Sequence, residues 1–183
     1  MKHPFIVGKN IYLRGLEKSD LEGDYFQWLN DQDVTKYMDS GNFPNTIENM
    51  EEFYRNTVLR GNNVIFAIVD LESDKHIGNI KLGPINWISR ISPVGIMIGD
   101  KAYWGKNYGT ESMELVLNYA FNKLNLHKIT LGVVANHDAA TKAYEKAGFK
   151  LEGKAKSQFY LDGKYCDTLY MAILRDEFMS RVE

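Results

Sequence analysis

Gly105 and Gly109 bracket Lys106, Asn107 and Tyr108, and the five stand between an apolar run and a helix-period segment. The apolar run holds Val94, Ile96, Met97 and Ile98, all strand formers, and Gly99-Asp100 breaks it. After Thr110 the apolar residues fall at Met113, Val116, Leu117, Ala120, Phe121 and Leu124, which is the spacing of one helix face. A strand that feeds a glycine loop and then a helix makes an anion site. The first helical N–H groups have no internal partner, and the helix dipole adds partial positive charge there. Glycine also lets the backbone approach an oxygen closely. The segment is not a Walker A loop, because Asn107 follows Lys106, and it lacks the G-x-G-x-x-G fingerprint. The competing explanation is a glycine-relieved strand-to-helix corner of the kind any α/β protein can carry.

A second group lies further on. Ala140, Ala143, Tyr144 and Ala147 share one face of a short helix that Asp138 or Asn136 can cap and Gly148 can stop. Three alanines allow a neighbour to come close, and Tyr144 projects beside them. A helix packed tightly on a sheet, with Tyr144 as filler, accounts for the same pattern.

Composition limits what these groups can serve. A chain of 183 residues is expected to form one domain, 1–183, with a proper core. Its net charge of −2 gives no broad basic footprint for nucleic acid or an anionic membrane. Cys166 is the only cysteine, so no internal disulfide and no cysteine metal site is possible, and His3, His76, His127 and His137 lack zinc spacing. No membrane-length apolar run and no signal peptide is visible, so a cytoplasmic enzyme or binding module is the default expectation.

The elements that must position the two groups read as follows. Asn10 to Arg14, with Ile-Tyr-Leu-Arg, reads as a first strand. Ser19-Asp-Leu-Glu22 has the capping-box spacing and should start a helix through about Leu29. Asp31 and Thr46 can cap two further helical segments. This first third is rich in aromatics, and Trp28, Tyr37 and Phe43 are candidate walls of a substrate cleft. Strands are expected at Val64–Val69, His76–Ile85, Val94–Ile98 and Lys128–Ala135, with Pro93 at a strand start or on an edge. Val94–Ile98 and Ile129–Ala135 should be parallel, since a helix joins them. Asp162-Gly163 predicts a hairpin of Gln158–Leu161 with Lys164–Leu174.

At this point nearly the whole chain resembles the GNAT acyl-CoA N-acetyltransferases, in the branch of ribosomal-protein N-terminal, spermidine and nucleotide-aminosugar enzymes. Two motifs carry the resemblance. Tyr103-Trp104-Gly105-Lys106-Asn107-Tyr108-Gly109-Thr110-Glu111 is similar to the family's Q/R-x-x-G-x-G/A pyrophosphate loop, and Ala143-Tyr144-Glu145-Lys146-Ala147-Gly148-Phe149 to its Y-x-K-x-G-F helix end. Three positions depart from the pattern. Asn107 replaces the middle glycine, His137 stands seven before the tyrosine with Asn136 one earlier, and Pro93 stands where relatives often carry a glutamate.

The resemblance implies an α/β fold, a single-domain GNAT architecture with a mixed twisted sheet flanked by helices. It implies acetyl transfer from acetyl-CoA to a primary amine, with acetyl-CoA as cosubstrate and no metal. Trp104, Gly105, Lys106, Asn107, Tyr108, Gly109 and Thr110 would hold the pyrophosphate, Ile96, Met97 and Ile98 the pantetheine, and Asn136 and Lys146 further parts of CoA. Lys142 is another candidate for the phosphates. The amine attacks the thioester directly, and Tyr144 protonates the departing thiolate as general acid. With an alkylammonium pKa of about 10.4, on the order of 0.1% or less of the amine is neutral at pH 7, so a base or a lowered pKa is also needed.

The implied partner is a small-molecule amine, with no nucleic acid and no membrane; the sequence does not separate a monomer from a homodimer. A nucleotide-linked aminosugar is the leading acceptor, on Trp28-Leu-Asn-Asp31 and Ile77–Gly83. The alternatives are a protein N-terminus, a polyamine held by Glu48, Glu51 and Glu52, a CoA-binding module without catalysis, and a nucleotide-phosphate binder.

Overall fold

A computed structural model describes residues 2–182. Its strands are β1 (Ile6–Val7), β2 (Ile11–Gly15), β3 (Val64–Asp70), β4 (His76–Leu82), β5 (Ile91–Ile98), β6 (Lys128–Val134), β7 (Lys150–Leu161) and β8 (Lys164–Leu174). They join one sheet in the order β1-β2-β3-β4-β5-β6-β8-β7. Helices α1 (Asp24–Leu29), α2 (Gln32–Thr35) and α3 (Ile47–Phe53) precede β3. Helix α4 (Tyr108–Asn122) joins β5 to β6, α5 (Asp138–Ala147) joins β6 to β7, and α6 (Arg175–Val182) follows β8.

Two apolar cores form, one on each face of the sheet. Val116, Leu117, Ala120 and Phe121 of α4 are fully buried against Ile11, Leu13, Ile68 and Ile80. The opposite core packs Trp28, Tyr25 and Met50 of α1 and α3 on Tyr12, Ala67, Val69 and Met97. Strand β3 is therefore covered on both sides, which is why it reads as a continuous apolar run.

The first helix starts differently from the expectation. The capping box is made by Glu17 and Asp20, not by Ser19 and Glu22. Asp20 accepts the Glu17 N–H (2.8 Å) and both Arg14 guanidinium nitrogens (2.7 Å each). Pinning Asp20 to Arg14 tightens Lys18–Glu22 into a 3-10 turn, and Gly23 separates it from α1. Burial works against the Asp20 charge, but the Arg14 bonds and the Glu17 N–H outweigh it and hold the carboxyl below its ordinary range. The caps at Asp31 and Thr46 form as expected, accepting the N–H of Asp33 and of Asn49.

β7 is also longer than the predicted hairpin arm, running from Lys150 instead of Gln158. It is the edge strand and is mostly exposed, so lysines and irregular register replace the apolar alternation that would have marked it.

The parallel pairing is the feature that makes a site. β5 and β6 pair only at Ile91–Pro93 with Lys128–Thr130. Beyond those residues both strands continue, β5 to Ile98 and β6 to Val134, without pairing. Pro93 lies inside β5 just past the end of β4, so its missing N–H removes little of that ladder.

Candidate active site

The diverging strands open a cleft of about 1360 Å³ between the two motifs. Its walls include Val94–Ile98 of β5, Gly132–Val134 of β6, the loop before α4, the inner face of α5 and residues of α2 and α3.

The edge of β5 is free along this gap. Gly83 N–H donates to Pro93 O, and Gly99 N–H to Ile77 O (2.9 Å each). Between them Gly95 faces Lys81 and Met97 faces Asn79. Alternation along an antiparallel ladder then turns the N–H and C=O of Ile96 and Ile98 away from β4 and into the gap. The Ile98 carbonyl is already taken, by the Trp104 indole N–H (2.7 Å). Ile96 N–H, Ile96 C=O and Ile98 N–H remain for an extended amide chain to pair with as an added strand would.

The loop supplies the anion end. Gly105 and Asn107 both take left-handed conformations, with φ of 71° and 65°. Asparagine tolerates that region better than most residues, so the turn survives the loss of the middle glycine. The first helical bond of α4 runs from Glu111 N–H to Asn107 O (3.0 Å). Among the described residues, the N–H groups of Tyr108, Gly109 and Thr110 have no acceptor in the fold. Gly109 is helical, so its value is not conformational. A Cβ there would reach only Ile98 and Ile96 side chains, at 3.8 and 4.0 Å, which is ordinary contact. The protein does not need glycine at 109, but a phosphate against the helix start would.

Charged residues flank this end unevenly. Lys142 and Lys146 line the cleft, and Lys146 Nζ reaches Asn107 Oδ1 (3.4 Å). Lys106 is not in the lining; its ammonium lies over the Tyr103 ring, 5.8 Å from the centroid. The Tyr108 phenol donates to Asp70 (3.0 Å) and so ties the helix start to β3, leaving its backbone to the loop. Asn136 is outside the lining, with its amide on Cys166 Sγ (3.3 Å). His137 lines the cleft in its place, stacked on Tyr37 at 4.1 Å.

Tyr144 enters the cleft from α5, its ring 6.1 Å from Phe149. No described group hydrogen-bonds its hydroxyl, and the hydroxyl is not sealed from solvent, so it opens to the cleft. Burial of the ring raises its pKa above the ordinary tyrosine value. A phenol held in this way keeps its proton and can give it up at the cleft surface.

Of the aromatic walls expected from sequence, Tyr37 lines the cleft. Trp28 is instead core, packed edge-on to His76 at 5.0 Å, and Phe43 is 77% exposed and outside the lining. Sequence reasoning did not single out Asn79 and Lys81 within Ile77–Gly83, and it missed Gln158, Phe159 and Tyr170 from the last two strands, all in the lining. Alternation along β4 could have put Asn79 and Lys81 on one face, but nothing in sequence said that face met a cleft. Cleft carboxylates are Asp33 and Asp39; Asp33 is held by Lys101 (2.8 Å). Among the described residues no cluster of three or more His, Cys, Asp or Glu could hold a metal, and no helix is long and apolar enough to cross a membrane.

The model of the GNAT acetyltransferase domain matches residues 10–150. The chain belongs to the GNAT acetyltransferases. It is 29% identical to the spermidine N(1)-acetyltransferase of Vibrio cholerae over 97% of this chain and 100% of that one. It is 30% identical to a probable N-acetyltransferase of Bacillus subtilis, covering 94% of this chain and 98% of the relative. The crystal structure of a Vibrio cholerae spermidine N-acetyltransferase with CoA and spermine superposes with a TM-score of 0.86, at 28% identity, over 94% of this chain and 99% of that one. This GNAT chain is thus an acetyl-CoA-dependent N-acetyltransferase. Its free β5 edge, its unpaired α4 N–H groups and the space at Gly109 fit a pantetheine ending in a pyrophosphate.

Proposed function

We propose that residues 1–183 act as one cytoplasmic N-acetyltransferase domain whose acceptor is the primary amine of a nucleotide-linked aminosugar. In this reading the pyrophosphate of acetyl-CoA rests on the N–H groups from Gly105 to Thr110, and its pantetheine pairs with β5 at Ile96 and Ile98. A further backbone N–H of the Val94–Ile98 strand steadies the oxyanion of the tetrahedral intermediate. The amine attacks the thioester carbonyl, the C–S bond breaks, and Tyr144 delivers a proton to the leaving sulfur.

The observation that carries the acceptor class is the charge of the far wall. Lys81, without an ion pair among the described residues, lines it together with Asn45, Asn49, Asn79 and Lys36, whose ammonium lies 3.8 Å from Asp162. Among the described residues, Asp39 is the one cleft carboxylate without an ion pair. Glu48, Glu51 and Glu52 do not line the cleft, and Glu51 is bound to Lys18 (2.9 Å). Such a wall offers donors and cations, which pair with hydroxyl, carbonyl and phosphate oxygens. A polyamine brings only cations and needs the reverse. The polyamine reading is supported instead by the activities of the relatives named above.

Thiol release from acetyl-CoA separates these acceptors. The kcat/KM for a nucleotide-linked aminosugar should exceed those for spermidine and for an N-terminal peptide by about tenfold or more. A preference for spermidine or for the peptide would overturn the assignment.

A further inference from the structure

Two glycines face each other where the sheet opens. The last paired residues of β5 and β6 are Pro93 and Thr130. Two positions further along each strand stand Gly95 and Gly132, and both are exposed although they lie mid-strand. Their chain neighbours Val94, Leu131 and Val133 are buried in the core on the α4 side. Alternation therefore turns the two glycines to the other face, that of α1 and α3.

Their cross-strand partners share that face. Gly95 is opposite Lys81, and Gly132 is opposite Tyr170. Ile65, opposite Lys81 on β3, is buried in the core on the α1 and α3 side. One row thus runs from Lys81 to Gly95, across the gap, and on to Gly132 and Tyr170, and all four residues line the cleft. Tyr170 is 48% exposed.

The fold does not ask for glycine at either position. Neither residue has a positive φ. A Cβ at Gly95 would meet nothing within 4 Å. One at Gly132 would meet Thr168 Cγ2 at 3.5 Å and Tyr170 Cε1 at 3.7 Å, which is ordinary contact. Glycine inside a strand weakens it and packs nothing, so this pair marks a close approach by something other than the chain.

The cofactor's direction says what approaches. Its phosphate end is anchored at the start of α4, past Ile98, and its pantetheine runs back along Ile98 and Ile96. The thioester then arrives beside Gly95, where the strands converge. Tyr144 packs with the core on the α4 side, which leaves the opposite face, with Lys81, to the amine. Attack needs the nitrogen within about 3–3.5 Å of the carbonyl carbon. A side chain at 95 or 132 would stand in that path.

We propose that Gly95 and Gly132 form the opening in the side-chain layer through which the acceptor amine reaches the thioester, with Lys81 and Tyr170 as its rims. The inference rests on the cofactor placement proposed above and holds for any acceptor class.

Gly95→Ala and Gly95→Val fill the opening in two steps, and Gly132→Ala fills it from the other strand. With the amine that the wild type uses best, kcat/KM should fall about tenfold for each alanine and about 100-fold or more for valine. CoA affinity by calorimetric titration should stay within about threefold, because the pantetheine pairs with backbone groups of Ile96 and Ile98. Melting temperatures should hold or rise, since glycine is the weakest choice in a strand that any residue can follow. An unchanged kcat/KM in Gly95→Val overturns the proposal. So does a CoA affinity that falls in step with kcat/KM, because the side chain would then displace the cofactor. A marked drop in melting temperature in all three variants overturns it as well, because the glycines would then serve the fold. The cofactor placement is tested separately by CoA titration of Gly109→Val, so either can fail alone.

Discussion

Tyr144→Phe should lower kcat by roughly 10²–10⁴-fold, the usual value of a positioned general acid. The phenol hydroxyl has no protein partner among the described residues, so the substitution breaks no bond within the fold. The ring and its contact with Phe149 stay, and a thermal melt should hardly move. CoA affinity should fall far less than kcat, since one neutral hydrogen bond contributes about 0.5–1.5 kcal/mol. Burial raises the Tyr144 pKa, which extends the range of the protonated, active form upward. The wild-type rate should therefore hold until pH passes the ordinary tyrosine value of about 10, and the falling limb should be absent in the Phe variant. A variant with near-normal kcat, measured where chemistry limits turnover, would remove Tyr144 from the mechanism and leave water as the proton source.

Gly109→Val should weaken CoA binding by about 10²-fold or more, the loss of one or two charge-assisted N–H bonds. Two reasons for glycine at this position are possible, conformation and space, and the structure separates them. Gly109 is in the first turn of α4 with helical backbone, and a Cβ there meets only ordinary contacts. Valine is a better helix former than glycine, so the melting temperature should hold or rise slightly. What a branched side chain takes away is the approach of an anion to the N–H groups beneath it. Calorimetric titration with CoA checks this, and an unchanged affinity would place the phosphates elsewhere.

Those two residues are legible in the sequence because their signals are local. A glycine loop between a strand and a helix, and a tyrosine on an alanine face, are written within a dozen residues each. The parallel relation of β5 and β6 follows from the helix between them. The short extent of their pairing does not, since nothing in Ile91–Ile98 or Lys128–Val134 says where two strands part. Asn79 stays hidden for a similar reason. A polar residue in an apolar strand is ordinary until its partners are known, and those depend on His76, Trp28 and Met97 from three different elements. The Ser19 capping box fails because Arg14, on the preceding strand, draws Asp20 into the cap. Trp28 resembles a cleft wall by type alone, but it fills the core between α1 and the sheet.

The central claim is that one cleft seats acetyl-CoA and the amine together, and that the acetyl group passes directly between them. Cys166, the only thiol, is buried and outside the cleft lining. Initial rates with acetyl-CoA and the amine varied against each other test this most directly. Direct transfer predicts intersecting double-reciprocal lines and no thiol release before the amine is added. Parallel lines with a burst of free CoA from acetyl-CoA alone would mean a covalent acetyl-enzyme, and would contradict the account.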